Sequence, residues 1–149
     1  MDTSYPDTQL FINGKWKSAQ ANETIDVINP ATENVIGKMA HARKEDLDEA
    51  LSAADKAFHN WKNINSFERY KILRKAAGIL RERATEIARI MTIEHGKPVG
   101  ESLAEVNLSA DITDWLGEEA RRTYGRLVPS RSADIYQMVV KEPVGPVAG

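Results

Sequence analysis

The sequence predicts an α+β chain on three observations. Apolar and polar residues alternate in short runs between residues 10 and 40, which is the pattern of β-strands. From residue 44 to residue 124, apolar residues recur at helical spacing, which predicts amphipathic helices. Residues 144–149 are an apolar run that follows a Pro/Gly turn, typical of a strand buried on both faces of a sheet.

The strands come first in the chain. Residues 10–12 and 15–17 flank an Asn-Gly pair, which predicts a hairpin because both central residues of its turn need positive φ. A strand over residues 25–28 ends at an Asn-Pro pair, since proline donates no ladder hydrogen bond. A further strand is predicted over residues 35–40.

Three helical stretches follow. The first covers residues 44–61 and has no good N-cap residue. The second starts at a cap, Ser66, and is long enough to be two helices with a break near Arg83. Gly96 ends it, and a proline at the first helical position opens the third stretch, residues 99–124.

The rest of the chain returns to extended structure. Residues 126–133 are predicted to be a loop, and residues 135–141 alternate as a strand with two partly apolar faces. Such a strand with an unpaired edge is open to pairing with another chain.

Composition excludes several classes of function. The 149 residues carry a net charge of −2, so nucleic acid and membrane surfaces are not expected partners. No apolar run is long enough to span a bilayer. The first residues lack the basic and apolar parts of a secretory signal, and a cytoplasmic location is therefore expected.

The inventory of reactive side chains is small. The sequence contains no cysteine, which excludes disulfides, thiolate metal sites and a thiol nucleophile within these residues. The three histidines lie far apart, and no Gly-rich phosphate loop or serine elbow is present. The bases of residues 62–89 and the acids of residues 101–119 are predicted to be solvated helix faces. The three tryptophans are expected to fill a core.

Four motifs occur in a specific order along nearly the whole chain. They are Phe11-Ile12-Asn13-Gly14-Lys15-Trp16, Val27-Ile28-Asn29-Pro30-Ala31-Thr32, Glu94-His95-Gly96-Lys97-Pro98 and Glu142-Pro143-Val144-Gly145. Together they resemble the N-terminal part of the aldehyde dehydrogenase superfamily. Residues 118–125, Glu-Glu-Ala-Arg-Arg-Thr-Tyr-Gly, are most similar to its succinate-semialdehyde dehydrogenase branch.

The resemblance implies an α/β fold in which this chain supplies N-terminal strands and helices. Residues 1–125 would belong to the nucleotide-binding domain, residues 126–142 to the oligomerisation sheet, and residues 143–149 to the first strand of the parallel sheet. The implied activity is oxidation of an aldehyde to a carboxylic acid through a cysteine thioester, with NAD or NADP. The implied assembly is a homo-oligomer, a dimer or a tetramer.

Catalytic and cofactor-binding residues of this family come after the Glu-Pro-Val-Gly motif. The resemblance therefore implies none in this chain, which alone would be inactive. The contrasting interpretation is a stand-alone, non-catalytic assembly or interaction module that reuses the N-terminal part of the fold.

Two lesser sites are implied by the resemblance. Val27 and Ile28 would bind a monovalent cation through main-chain oxygens together with Glu94, although Glu94 fits an exposed helix end equally well.

The second implied site is an aldehyde tunnel. Ala104, Leu108 and Ile112 lie four residues apart on one helix face and are the candidates for its lining. Core packing of the same three side chains is the alternative.

Overall fold

The computed structural model describes residues 5–148. Within them, four helices and three two-stranded antiparallel sheets follow one another along the chain. The elements are β1 (Leu10–Ile12), β2 (Lys15–Lys17), β3 (Thr24–Ile28), β4 (Val35–Ala40), α1 (Lys44–Trp61), α2 (Ser66–Glu82), α3 (Ala84–His95), α4 (Val99–Ala120), β5 (Arg126–Val128) and β6 (Gln137–Val139).

The first hairpin is confirmed. β1 pairs with β2, and Asn13 and Gly14 at its turn have φ of 52° and 76°. Two positive φ values in a two-residue loop give a turn whose twist matches that of the strands. Phe11 and Trp16 face each other across the ladder, with ring centroids 4.8 Å apart.

The second sheet joins β3 to β4 over the predicted residues. Val27 pairs with Gly37, and the register shifts between Val27 and Ile28. Such a bulge leaves part of the ladder unpaired and bends the strand. The strand end is therefore irregular where the Asn-Pro pair follows.

The start of α1 is capped from within the helix. Asp46 accepts a hydrogen bond from the backbone N–H of Arg43 at 3.0 Å and another from the N–H of Gln20 at 3.0 Å. Asp46, three residues further on, thus takes the place of the side-chain cap that Arg43 does not provide. The same carboxylate, which is buried, ties the loop after β2 to the helix.

The second helical stretch is two helices, as predicted, and they meet at Arg83 with φ −97° and ψ 7°. The predicted cap is wrong by one residue. Asn65 is the N-cap, and its side chain accepts from the N–H of Glu68 at 3.0 Å, while Ser66 is already helical. Both residue types cap well, so the sequence did not separate them.

The limits of α4 also differ from the prediction. Pro98 is its N-cap rather than its first helical residue, and the helix ends at Ala120 instead of residue 124. The N–H groups of Arg121 and Arg122 bond to carbonyls three residues back, which tightens the last turn. The guanidinium of Arg121 also lies over the rings of Phe67 and Tyr70, at 5.4 and 5.1 Å.

The core lies where α4 packs against α2 and α3. Ala84, Ala88 and Val106 form a buried cluster, against which Ile87 and Met91 pack. Small side chains at these crossings let the helix axes approach closely. At Gly117, an added Cβ would lie 3.4 Å from the Cβ of Leu73.

The C-terminal part holds a hairpin that the sequence pattern did not show. β5 pairs with β6, so residues 126–128 are a strand and the predicted loop is shorter. The sequence Arg126-Leu127-Val128 is one polar residue followed by two apolar ones, so it lacks the apolar–polar alternation by which a strand is predicted. The predicted strand of residues 135–141 is reduced to β6.

No strand forms over residues 144–148, where the sequence predicts the start of a buried one. A strand needs a partner for its N–H and C=O groups, and the described residues pair none with it. Gly149, the last residue of that prediction, lies outside the described residues.

Much apolar surface is exposed. The accessible surface is 11468 Å², whereas a folded monomer of 16.6 kDa exposes roughly 7,600 Å². The expectation that the tryptophans fill a core is wrong in this chain, because Trp16 is 65% and Trp115 71% exposed. Unburied apolar faces on this scale mark surfaces that bind another part of a protein.

Candidate functional site

The proposed cation ligands lie at the ends of two elements. Val27 is buried in β3, and Ile28 follows it at the bulge with its side chain exposed. Glu94 is in the last turn of α3 and is exposed. Main-chain and carboxylate oxygens are the ligands that hard cations prefer.

Two contacts bring these strand and helix ends together. Gly96, with φ 74°, ends α3 against Pro30, because a Cβ built on Gly96 would stand 2.8 Å from the Pro30 Cγ. Tyr5 makes the second contact. A Cβ on Gly37, the partner of Val27, would stand 2.4 Å from the Tyr5 ring, and the Tyr5 hydroxyl interacts with Glu94.

Tyr5 is a residue that the sequence analysis missed. Burial raises the pKa of the Tyr5 hydroxyl, the hydrogen bond with Thr8 lowers it, and the charge and hydrogen bond of Glu94 raise it further. An uncharged hydroxyl therefore lies beside the Glu94 carboxylate. No sequence signal marks this role, since an aromatic residue in a polar N-terminal segment has many possible partners.

Of the three ligand candidates, Glu94 alone has a side chain that can bind a cation. A cation site here therefore needs the main-chain oxygens of Val27 and Ile28. Among residues 5–148 there is no cluster of three or more His, Cys, Asp or Glu side chains that could hold a metal ion. A monovalent cation needs fewer charged ligands than a divalent one, and one carboxylate with carbonyl oxygens suits it. The cation site at Val27, Ile28 and Glu94 therefore stays a prediction.

The tunnel candidates share one exposed face of α4. Ala104, Leu108 and Ile112 are all exposed, with Leu108 at 57% and Ile112 at 51%. The buried face of the helix consists of other residues, namely Ser102, Val106, Ala110 and Gly117. The three candidates therefore lie on the exposed face of the helix among the described residues, as a tunnel lining requires.

The charged clusters of residues 62–89 and 101–119 meet each other. Arg81 donates to Asp111 at 2.7 Å and pairs with Asp114 at 2.7 Å, while Arg74 lies 3.1 Å from the other Asp114 oxygen. The bonds to Asp111 and then to Asp114 raise the pKa of Arg81. These groups fasten α2 to α4, which the sequence analysis treated as two separate solvated faces.

The one buried carboxylate among the described residues is structural. Asp46 accepts two backbone hydrogen bonds, from Arg43 and Gln20, and these bonds lower its pKa. A general base or acid needs a pKa raised towards neutrality, so Asp46 is unsuited to proton transfer. The larger grooves of the described residues are open to solvent, including one of about 450 Å³ beside the β5–β6 hairpin.

The described residues do not fit a dinucleotide. Binding of a pyrophosphate usually needs a parallel strand, a Gly-rich turn and a helix N-terminus in succession. Here each sheet is a two-stranded antiparallel pair, and α1, the helix that follows β4, begins after Arg43 without a Gly-rich turn. No residue among residues 5–148 is assigned to the dinucleotide cofactor.

The chain is similar to known proteins of one family along most of its length. The profile of the aldehyde dehydrogenase family matches residues 16–149. Glutarate-semialdehyde dehydrogenase of Pseudomonas aeruginosa is 37% identical over 140 residues, which are 94% of this chain and 29% of that protein. NADP⁺-dependent succinate-semialdehyde dehydrogenase of Escherichia coli is 36% identical over 140 residues, which are again 94% of this chain and 29% of that protein.

Solved structures agree with the sequence matches. A crystal structure of betaine aldehyde dehydrogenase from Staphylococcus aureus in complex with NAD⁺ superposes with a TM-score of 0.87 at 29% identity. The alignment covers 93% of this chain and 28% of that one. The predicted α/β fold and the predicted resemblance are confirmed, and the chain spans about 29% of the curated relatives it matches.

No helix among the described residues is both long and apolar enough to cross a membrane.

Proposed function

The chain belongs to the aldehyde dehydrogenase family, and we propose that it supplies the N-terminal part of a semialdehyde dehydrogenase. The proposed reaction oxidises a succinate-semialdehyde or glutarate-semialdehyde type of substrate to the dicarboxylic acid. Relatives named for these substrates, at 36% and 37% identity over 94% of the chain, support this choice. The proposed cofactor is NAD or NADP, and the proposed location is the cytoplasm.

The observation that carries the proposal is the uncovered apolar surface. The accessible area is about half as large again as that of a folded monomer of this mass. Such an excess is expected of one piece of a larger fold. The exposed residues include Trp115 and Leu116 on α4 and Leu127 and Met138 on the last hairpin. In the proposed enzyme, the nucleotide-binding sheet and neighbouring subunits cover these faces.

The chain's role in this enzyme is support rather than catalysis. Thioester chemistry needs a thiolate nucleophile, and the 149 residues contain no cysteine. A nicotinamide cofactor supplies the hydride acceptor of such a reaction. Residues 1–125 are proposed to buttress the nucleotide-binding domain, residues 126–142 to enter an oligomerisation sheet, and residues 143–149 to start the parallel sheet.

Two sites within the chain are part of the proposal. Main-chain oxygens of Val27 and Ile28, with the Glu94 carboxylate, bind a monovalent cation that fixes the end of α3 against β3. The Pro30–Gly96 contact supports this placement.

The second site is the aldehyde tunnel. Ala104, Leu108 and Ile112 line it, which is supported by their exposure on one face of α4. A lining of this kind is apolar and sets the width of the path to the reacting carbonyl.

The activity of the isolated chain tests the supporting role. Residues 1–149 are mixed with succinate semialdehyde and NAD⁺ or NADP⁺, and the absorbance of the reduced nicotinamide is followed. The expected result is no turnover above the buffer blank, with intact Escherichia coli succinate-semialdehyde dehydrogenase as the positive control. Turnover that depends on this polypeptide alone would refute the proposed role.

A further inference from the structure

A groove between the α1–α2 turn and the segment after β6 has an excess of positive charge. It has a volume of about 390 Å³, and Trp61, Lys62 and Arg69 line one side of it. Lys141 and Glu142 line the other side. Three cations and one carboxylate leave the groove with a net charge of +2 at pH 7.

Nearby basic side chains do not show this excess, because most of them are neutralised. On α2 and after α4, the bases pair with acids in the combinations Lys71–Glu68, Arg74–Asp114, Arg81–Asp111, Arg83–Glu86, Arg121–Glu118 and Arg122–Glu119. Within residues 5–148, none of the ion pairs includes Lys62, Arg69 or Lys141. Three cations that form no ion pair among the described residues, Lys62, Arg69 and Lys141, thus meet at one groove, and other such cations, including Lys75 on α2, lie outside it.

The contacts that these cations do make leave their charge uncompensated. Arg69 donates to the carbonyl oxygen of Ile64, and Lys62 lies 5.4 Å from the centroid of the Phe58 ring. Both partners are uncharged. The Arg69 guanidinium is a planar fork with five N–H donors, so donors remain for an anion.

Trp61 adds a planar apolar wall beside the cations. It is 42% exposed, so part of the indole is open to the groove and to solvent. Planar rings stack on exposed indoles, and this stacking does not depend on a specific hydrogen-bond pattern. The groove thus combines an anion-binding side with a ring-binding side.

We propose that this groove binds a small phosphate monoester joined to a planar ring, of the nucleoside monophosphate class. A phosphate monoester carries about −1.5 to −2 charges at pH 7, which matches the net +2 of the groove. Arg69 and Lys141 bind the phosphate, Lys62 adds to the positive potential, and the ring stacks on Trp61. A single carboxylate would neutralise only half of the charge.

Calorimetric titration of the 149-residue chain with AMP at low ionic strength tests the proposal. Saturable binding is expected, with adenosine and inorganic phosphate each at least about tenfold weaker, because each lacks one of the two parts. No saturable AMP binding overturns the site. Equal binding of adenosine overturns the role of charge, and equal binding of phosphate overturns the role of Trp61.

Variants locate the binding. Lys141→Gln lies in a segment without regular structure and is expected to weaken AMP binding about tenfold without changing helicity. Trp61→Leu is expected to weaken AMP by about tenfold and to leave phosphate binding unchanged. Lys15→Gln, a cation on β2 outside this groove, is the matched control. Equal losses in Lys141→Gln and Lys15→Gln would mean non-specific attraction and would overturn the proposal.

Discussion

Gly125 lies so close to Val139 that a Cβ built at position 125 would stand 2.0 Å from the Val139 carbonyl oxygen. Real Cβ atoms do not approach a backbone oxygen to this distance, so only glycine fits between α4 and the β5–β6 hairpin. The contact fixes where the hairpin leaves the helical part. It therefore also positions the strands proposed for the oligomerisation sheet.

Gly125→Ala is expected to open the hairpin, because the Val139 backbone must move to admit the methyl group. Amide hydrogen exchange measures the change. Protection across the β5–β6 ladder should fall at least about tenfold, equivalent to about 1.4 kcal/mol. Gly78→Ala is the control, since nothing lies within 4 Å of a Cβ at that helical position. It should raise stability by about 0.8–1 kcal/mol. Unchanged protection in Gly125→Ala would show that the hairpin does not depend on this contact.

Asp114→Asn should loosen the packing of α2 on α4. Asp114 is only 16% exposed and lies between Arg74 and Arg81, so the variant leaves two guanidinium groups without their shared counter-charge. A loss of about 1–3 kcal/mol in the free energy of unfolding is expected from urea denaturation.

Asp48→Asn provides the comparison for this ion pair. It breaks an exposed pair with Lys44 on α1, which should cost at most about 0.5 kcal/mol. Equal effects of the two variants would contradict the view that Asp114 fastens the helices.

The pH dependence of stability should depend on Asp46. Hydrogen bonds from the Arg43 and Gln20 N–H groups lower its pKa, so its contribution is fully present above the ordinary carboxyl pKa of about 4. The contribution is lost as pH falls through the lower, folded-state pKa. Chemical denaturation at pH 7 and at pH 3 measures the difference.

Asp46→Asn should reduce the stability difference between the two pH values, because it removes one titrating group that distinguishes the folded from the unfolded chain. Asp55→Asn changes an exposed aspartate on the same helix and should leave that difference unaltered. The proposed role of Asp46 is wrong if both variants behave alike.

Cation binding at Val27, Ile28 and Glu94 predicts stabilisation by small monovalent ions. The melting temperature in potassium or sodium chloride should exceed that in choline chloride at equal ionic strength, since binding to the folded state stabilises it. Glu94→Gln should abolish the difference. Glu101→Gln, an exposed acid in the first turn of α4, should retain it. Equal melting temperatures of the unmodified chain in all three salts would exclude the site in this chain.

The elements that were predicted correctly from the sequence are those whose structure is determined by a few neighbouring residues. Asn13-Gly14 requires a tight hairpin, Gly96 provides a left-handed helix end, and the apolar spacing of α1 gave both its limits. The break at Arg83 was predicted as well. In each case the signal lies within a few residues of the feature.

The errors arise where distant contacts decide. The β5 strand is set by pairing with β6, Asp46 caps α1 while holding the distant Gln20 N–H, and Tyr5 meets Glu94 across about ninety residues of sequence. The tryptophans were expected in a core, yet Trp16 and Trp115 are exposed. Periodicity identifies an apolar face but not what covers it.

The most direct test of the central claim is a chimera. Residues 16–149 replace the matching segment of Escherichia coli succinate-semialdehyde dehydrogenase, and reduction of NADP⁺ is measured with succinate semialdehyde. The expected result is aldehyde-dependent turnover by the chimera and none by the same enzyme with the segment deleted. A folded chimera without turnover would contradict the claim that this chain supplies the N-terminal part of a semialdehyde dehydrogenase.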